Sequence, residues 1–169
     1  MKITQVEYKR LFNLGNYENE TIGFIAEIPS GEEKKAIAKL CGLVFDLHNA
    51  IAKLKKLKEK IDIIYYTEGQ EGYYGTPTDS ILYKANRIRE YKEYIKEEKE
   101  RIKEAKGELE KLQAEKQLEQ YKIRLKKTEK ELQETKELGE KLRDIYQRSM
   151  KSFKEGDLSF LDEFKTINL

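Results

Sequence analysis

The segment LFNLGNYENETIGF, Leu11 to Phe24, decides how this chain begins to fold. Asn13, Gly15, Asn16 and Asn19 sit between two runs of alternating polarity. Asn and Gly tolerate the positive φ that turns require. Upstream, in KITQVEYKRLF (Lys2 to Phe12), Val6, Tyr8, Arg10 and Phe12 share one face. Ile3, Gln5, Glu7, Lys9 and Leu11 share the other. Downstream, in TIGFIAEI, Ile22, Phe24, Ala26 and Ile28 line a single face. Period-two patterning with one apolar side predicts strands, and the segment between them predicts a β-hairpin with a rather long, shaped loop.

A lone two-stranded hairpin is marginal in water, so it needs a surface to pack on. The next residues supply one. Pro29 ends the strand, and Ser30 with Glu33 has the spacing of a capping box. A helix is predicted from about Gly31 to about Tyr65. Ile37, Leu40, Val44, Leu47, Ile51, Leu54, Ile61 and Tyr65 follow steps of three and four, with Lys58 as the single interruption. That is a heptad seam.

The segment YYTEGQEGYYGTPTDS (Tyr65 to Ser80) then stops the helix with three glycines and a proline. Thr76 is the expected cap of the next helix, with Pro77 at its first position and Asp79 in its first turn. Ile81, Ala85, Ile88, Tyr91, Ile95, Ile102, Ala105, Leu109 and Leu112 form a second seam. Its phase slips between Gln113 and Gln120. It resumes through Tyr121, Leu125, Thr128, Leu132, Thr135, Leu142, Tyr146 and Phe153. One unbroken helix from Asp79 to Lys154 would be about 110 Å long. Two readings stay open: a continuous helix, or a helical hairpin bent at Gly107 or Gly139. In the tail, Ser159 with Asp162 suggests a cap for a short helix carrying Phe160, Leu161 and Phe164.

The expected organisation is therefore a hairpin and first helix over 1–65, and a Gly/Tyr loop over 66–78. A long coiled-coil helix or helical hairpin follows over 79–154, with a short docking tail over 155–169. The fold class is α+β, mostly α, with an N-terminal β-hairpin packed on long antiparallel coiled-coil helices.

Composition agrees with that class. The 169 residues are 39 % charged and 38 % hydrophobic, which suits long helices with one apolar stripe and wide solvated faces. The net charge of +2 is too small to mark a strongly basic nucleic-acid protein. With a single cysteine, Cys41, the chain forms no internal disulfide. No apolar run reaches the roughly 20 residues of a membrane span, and no charged-then-apolar leader opens the sequence. A cytoplasmic protein away from the membrane is expected.

Catalytic signals are sparse. His48, the only histidine, lies in the first seam and reads as a packed helix residue; Cys41 reads as a small core residue. There is no Gly-rich phosphate loop, no metal-spaced Cys or His pair and no nucleophile elbow. The carboxylates alternate with lysines as solvated i,i+4 pairs. No enzyme and no cofactor are expected.

Two features stand above that background. Tyr65, Tyr66, Tyr73, Tyr74 and Tyr83 surround the glycine loop. Tyrosine offers rigid contact area with a hydroxyl and also stacks on bases, although such a loop more readily plugs the end of its own helices. The stretch KLKKLKEK sets Lys53, Lys55, Lys56, Lys58 and Lys60 against Glu59, five positive charges against one negative. Lysines at that density attract phosphate backbones, but they also make an ordinary wet helix face. The same holds for Lys122, Arg124, Lys126 and Lys127.

The opening hairpin resembles a recurring N-terminal segment of small proteins from phages, prophages and some archaeal elements. The shared core reads Tyr-x-Arg-x-Phe-Asn-Leu-Gly-Asn-Tyr-Glu, here Tyr8, Arg10, Phe12, Asn13, Leu14, Gly15, Asn16, Tyr17 and Glu18. The likeness covers about the first thirty residues, or sixty with the following helix, and leaves out the long helical part. That group has no settled activity, so the resemblance implies a mobile-element context and not a mechanism. It also suggests that the loop is more than a connector, with Asn13, Asn16, Tyr17 and Glu18 as a polar contact surface.

The expectation from the sequence is a homodimer or higher oligomer without enzymatic activity. It would hold or block a host or phage protein, such as a defence or replication protein, as an anti-defence inhibitor does. The contacts would come from Asn13, Asn16, Tyr17, Glu18, Tyr65, Tyr66, Tyr73 and Tyr74. The first alternative is a nucleic-acid module using Lys53, Lys55, Lys56, Lys58 and Lys60 with the tyrosines. The second is a structural coiled-coil spacer.

Overall fold

The structure, a computed structural model, describes residues 5–15, 18–28, 31–70 and 75–161, with the backbone alone at 13–15 and 18–19. The elements run β1 (Gln5–Gly15), β2 (Glu18–Glu27), α1 (Glu33–Ile64), α2 (Ile81–Glu104) and α3 (Glu108–Glu155). The class is α+β, mostly α. The chain divides into two compact units, Met1–Leu57 with Arg148–Leu169, and Lys58–Gln147.

In the first unit β1 and β2 form a two-stranded antiparallel sheet. Pairing runs from Gln5↔Glu27 to Asn13↔Asn19 and then, after an irregularity, to Gly15↔Glu18. The ladder thus extends further toward the turn than expected. A local register shift between Asn13 and Gly15 absorbs the extra residue, as a bulge does. Only Asn16 and Tyr17, which lie outside the described residues, separate the strands.

The faces sort as the alternation predicts. Val6, Tyr8, Phe12, Ile22, Phe24, Ala26 and Ile28 are buried or half-buried, while Gln5, Glu7, Lys9, Leu11, Thr21, Gly23, Ile25 and Glu27 are exposed. The inner face packs on α1: the Phe12 and Phe45 rings meet edge to face, with centroids 5.7 Å apart.

At the start of α1, Gly31 has φ +96° and its N–H donates to Glu33 Oε1 at 2.9 Å. This backbone bond holds the Glu33 carboxyl below its ordinary value. The partner is Gly31, where the expected capping box has Ser30; Pro29 and Ser30 lie outside the described residues.

The α1 stripe follows a cleaner phase than the one expected. Leu47, Ala50, Leu54, Leu57, Ile61 and Ile64 are buried, and Leu57 is fully so. Choosing Ala50 and Leu57 over Ile51 and Lys58 removes the apparent interruption. Lys58 lies on the exposed side and pairs with Asp62. Ile37, expected in the seam, is 44 % exposed.

The cap of α2 is Ser80 and not Thr76. Ser80 N–H donates to the Pro77 carbonyl at 3.0 Å, closing a turn first. Ser80 Oγ then accepts from the Tyr83 N–H at 3.1 Å. Ser80 is wholly buried, so its hydroxyl needs such partners; it also donates to the Pro77 carbonyl at 2.6 Å.

In the second unit the two readings of the long helical segment resolve to a hairpin. α2 ends at Glu104, its cap residue Ala105 leaves the helical range with a ψ of 124°, and α3 starts at Glu108. Contacts then pair the two helices in antiparallel order. Arg101 Nη1 donates to Gln117 Oε1 at 3.3 Å, the Tyr94 and Tyr121 rings lie 5.1 Å apart, and Lys92 meets Glu129 at 3.8 Å. Gly107 sits at the connection. Gly139, the other candidate bend, is inside α3, where a Cβ would lie 2.9 Å from both Ile64 Cγ2 and Tyr65 Oη. It is a close-approach glycine. The expected seam residues Leu109 and Leu112 are 71 % and 63 % exposed; Ala114 is buried in their place.

Candidate functional site

Alternation gives the hairpin two unlike faces. The inner one is tied down by a chain of ring contacts. The Phe12 ring stacks on His48 at 3.8 Å and 5°, and Arg10 places its guanidinium 4.4 Å from the Phe45 centroid. His48 Nδ1 lies 3.2 Å from Glu20 Oε2, and Cys41 Sγ donates to Tyr8 Oη at 3.4 Å. His48 and Cys41, seven residues apart on one side of α1, therefore serve as hairpin anchors. Among the described residues no group of three or more His, Cys, Asp or Glu side chains has the geometry to hold a metal ion.

The outer face is open. Leu11 is 63 % and Ile25 59 % exposed on it. Lys9, directly opposite Gly23 in the ladder, runs its stem across that glycine, and a Cβ at 23 would overlap Lys9 Cγ. The ammonium of Lys9 pairs with Glu7. The face is thus a short strip of apolar and charged side chains held by an anchored sheet. Beside it, between β2 and the start of α1, runs a groove of about 440 Å³ bordered by Phe24, Ile28, Ala36 and Leu43, with Lys35 and Lys39 at its rim.

Of the contact residues expected from the sequence, the structure describes the side chains of Tyr65 and Tyr66 only. Asn16, Tyr17, Tyr73 and Tyr74 lie outside the described residues. Asn13 and Glu18 are strand residues beside the turn, described as backbone only. Tyr66 is buried and Tyr65 is half-buried, with the Arg143 guanidinium 3.8 Å from its ring centroid. Those two rings are engaged in packing. Tyr83 is half-buried in the first turn of α2.

Of the lysine stretch, Lys55, Lys56 and Lys60 are exposed, Lys58 is paired with Asp62, and Lys53 is half-buried. In the second basic group Lys122 pairs with Glu119 and Lys127 with Glu131, both along α3.

Sequence reasoning missed the outer strip. Leu11 and Ile25 break the polar side of the alternation, which was the available signal. It also missed the Tyr91, Tyr94 and Tyr121 cluster, where Arg87 donates to Tyr91 Oη at 2.8 Å and is held protonated more firmly by that bond.

The chain matches no known family model, no curated protein and no solved structure.

Proposed function

We propose that this is a non-enzymatic binding protein of a phage-like mobile element, working as two associated copies. It holds or blocks a protein partner, such as a host defence or replication protein. The observation that carries this reading is the anchored hairpin with Leu11 and Ile25 in the open on its outer face. Apolar side chains held there on a rigid sheet lose little entropy on docking, so burying them contributes to affinity. Asn13, Asn16, Tyr17 and Glu18, the polar contact residues expected from the sequence, supply hydrogen-bond groups for specificity. The resemblance of this hairpin to mobile-element proteins supports the setting, and the helical body is the coiled-coil support that carries it.

The nucleic-acid alternative has weaker support. Lys58 is neutralised by Asp62, and Lys53 and Lys56 border a cavity that also carries Asp46. Fluorescence anisotropy with labelled DNA and RNA at low and physiological salt separates the two. Protein recognition predicts no binding. Steeply salt-dependent binding that is lost on replacing Lys55, Lys56 and Lys58 would replace this reading with the alternative.

A further inference from the structure

α3 carries two stripes on opposite sides. One faces α2: Ala114 is buried and Leu118, Tyr121, Leu125 and Leu132 are half-buried. The other has no partner within the chain among the described residues. Leu109 is 71 %, Leu112 63 % and Ile123 61 % exposed, and Lys116 and Glu119 lie between them. Positions 109, 112, 116, 119 and 123 step by three and four, which is a second heptad seam.

We infer that this stripe is where two copies of the chain meet, α3 against α3 in antiparallel order, about a twofold axis between Gln117 and Leu118. The register follows from the residues themselves. A twofold axis there sets Leu112 opposite Ile123 of the copy, and Ile123 opposite Leu112. It sets Lys116 opposite Glu119 and, at the flank, Glu108 opposite Lys127. The pairs 112/123, 116/119 and 108/127 are thus apolar with apolar or positive with negative, and each occurs twice, as an isologous contact requires. Leu109 falls opposite Lys126, whose methylene stem covers it while the ammonium stays in water. Glu119 has only an exposed partner at present, Lys122 at 3.6 Å, so turning toward a facing lysine costs little.

This deepens the two-copy reading above by naming its surface. The test is sedimentation velocity on the full chain and on Leu112→Glu, Lys116→Glu, Glu119→Lys and the Lys116→Glu/Glu119→Lys double variant. Circular dichroism confirms that each is folded, and all three positions are exposed, so folding is expected to survive. A dimeric parent, a monomeric Leu112→Glu, weakened single charge reversals and a restored double variant are expected. A monomeric parent would overturn the two-copy reading itself. A dimer that persists in every variant would leave two copies but overturn this surface. Failure of the double variant to recover would overturn the antiparallel register.

Discussion

Gly139 and Gly42 are both helical glycines, and their surroundings set them apart. At Gly42 a Cβ meets nothing within 4 Å, so Gly42→Ala is expected to raise stability by about 1 kcal/mol through helix propensity alone. At Gly139 the same gain is opposed by overlap with Ile64 and Tyr65, and overpacking costs about 1–3 kcal/mol. Thermal melts should therefore place Gly139→Ala at least about 1 kcal/mol below Gly42→Ala; equal effects would contradict the close approach. Sequence alone marked Gly139 as a weak point but gave no sign of what it touches, because Tyr65 lies far from it along the chain. Glu33 offers a second test at this scale. Its carboxyl is held below the ordinary 4.5 by the Gly31 N–H, so its stabilisation of the helix start is full above that value. It is lost only as pH falls through the lower folded value. The Gly31 amide resonance should titrate with a midpoint below 4.5, and a midpoint at the ordinary value would remove the bond.

At the scale of elements, the phase of the α1 stripe makes a sharp prediction. Leu57 is fully buried, and Leu57→Ala should cost about 2–5 kcal/mol, whereas Lys58→Ala should change the melt hardly at all. A stripe running through Ile51 and Lys58 would instead leave Leu57 off the buried side, and Leu57→Ala would then cost little. The hairpin was readable from alternation because a period of two is unambiguous once one face is apolar. The α1 helix was readable too, yet its phase was not, because Ile51 and Ala50 both fit a seam and only packing chooses the smaller residue. The break between α2 and α3 was legible only as one of two options. Gly107 permits a reversal, but the paired contacts of Tyr94 with Tyr121 and Arg101 with Gln117 are what hold one. Ser80 took the cap from Thr76 because the Thr-Pro-Thr-Asp run spends itself in a turn before the helix starts.

For the molecule as a whole, burial distinguishes support from contact surface. His48 and Cys41, which read as packed residues, and Tyr65 and Tyr66, which read as contact residues, are all engaged in internal packing. The apolar side chains that stand most open among the described residues are less conspicuous in a sequence: Leu109, Leu112 and Ile123 on α3, and Leu11 with Ile25 on the hairpin. Such residues are invisible to motif reading, since an apolar residue on a polar face becomes informative only when the face is known to be unpartnered. On the proposed function, the hairpin's outer face recognises a protein. Burying each of these two side chains is worth about 2 kcal/mol, so losing both should weaken binding on the order of a thousandfold. The direct measurement is affinity capture from a lysate of the cells that express the protein, followed by mass spectrometry. It compares the parent with Leu11→Asp/Ile25→Asp under nuclease treatment. The expected result is a discrete protein held in near-equal amount by the parent and absent from the variant, with the melting temperature of the two unchanged. Equal capture by both chains, or capture that nuclease abolishes, would contradict the account.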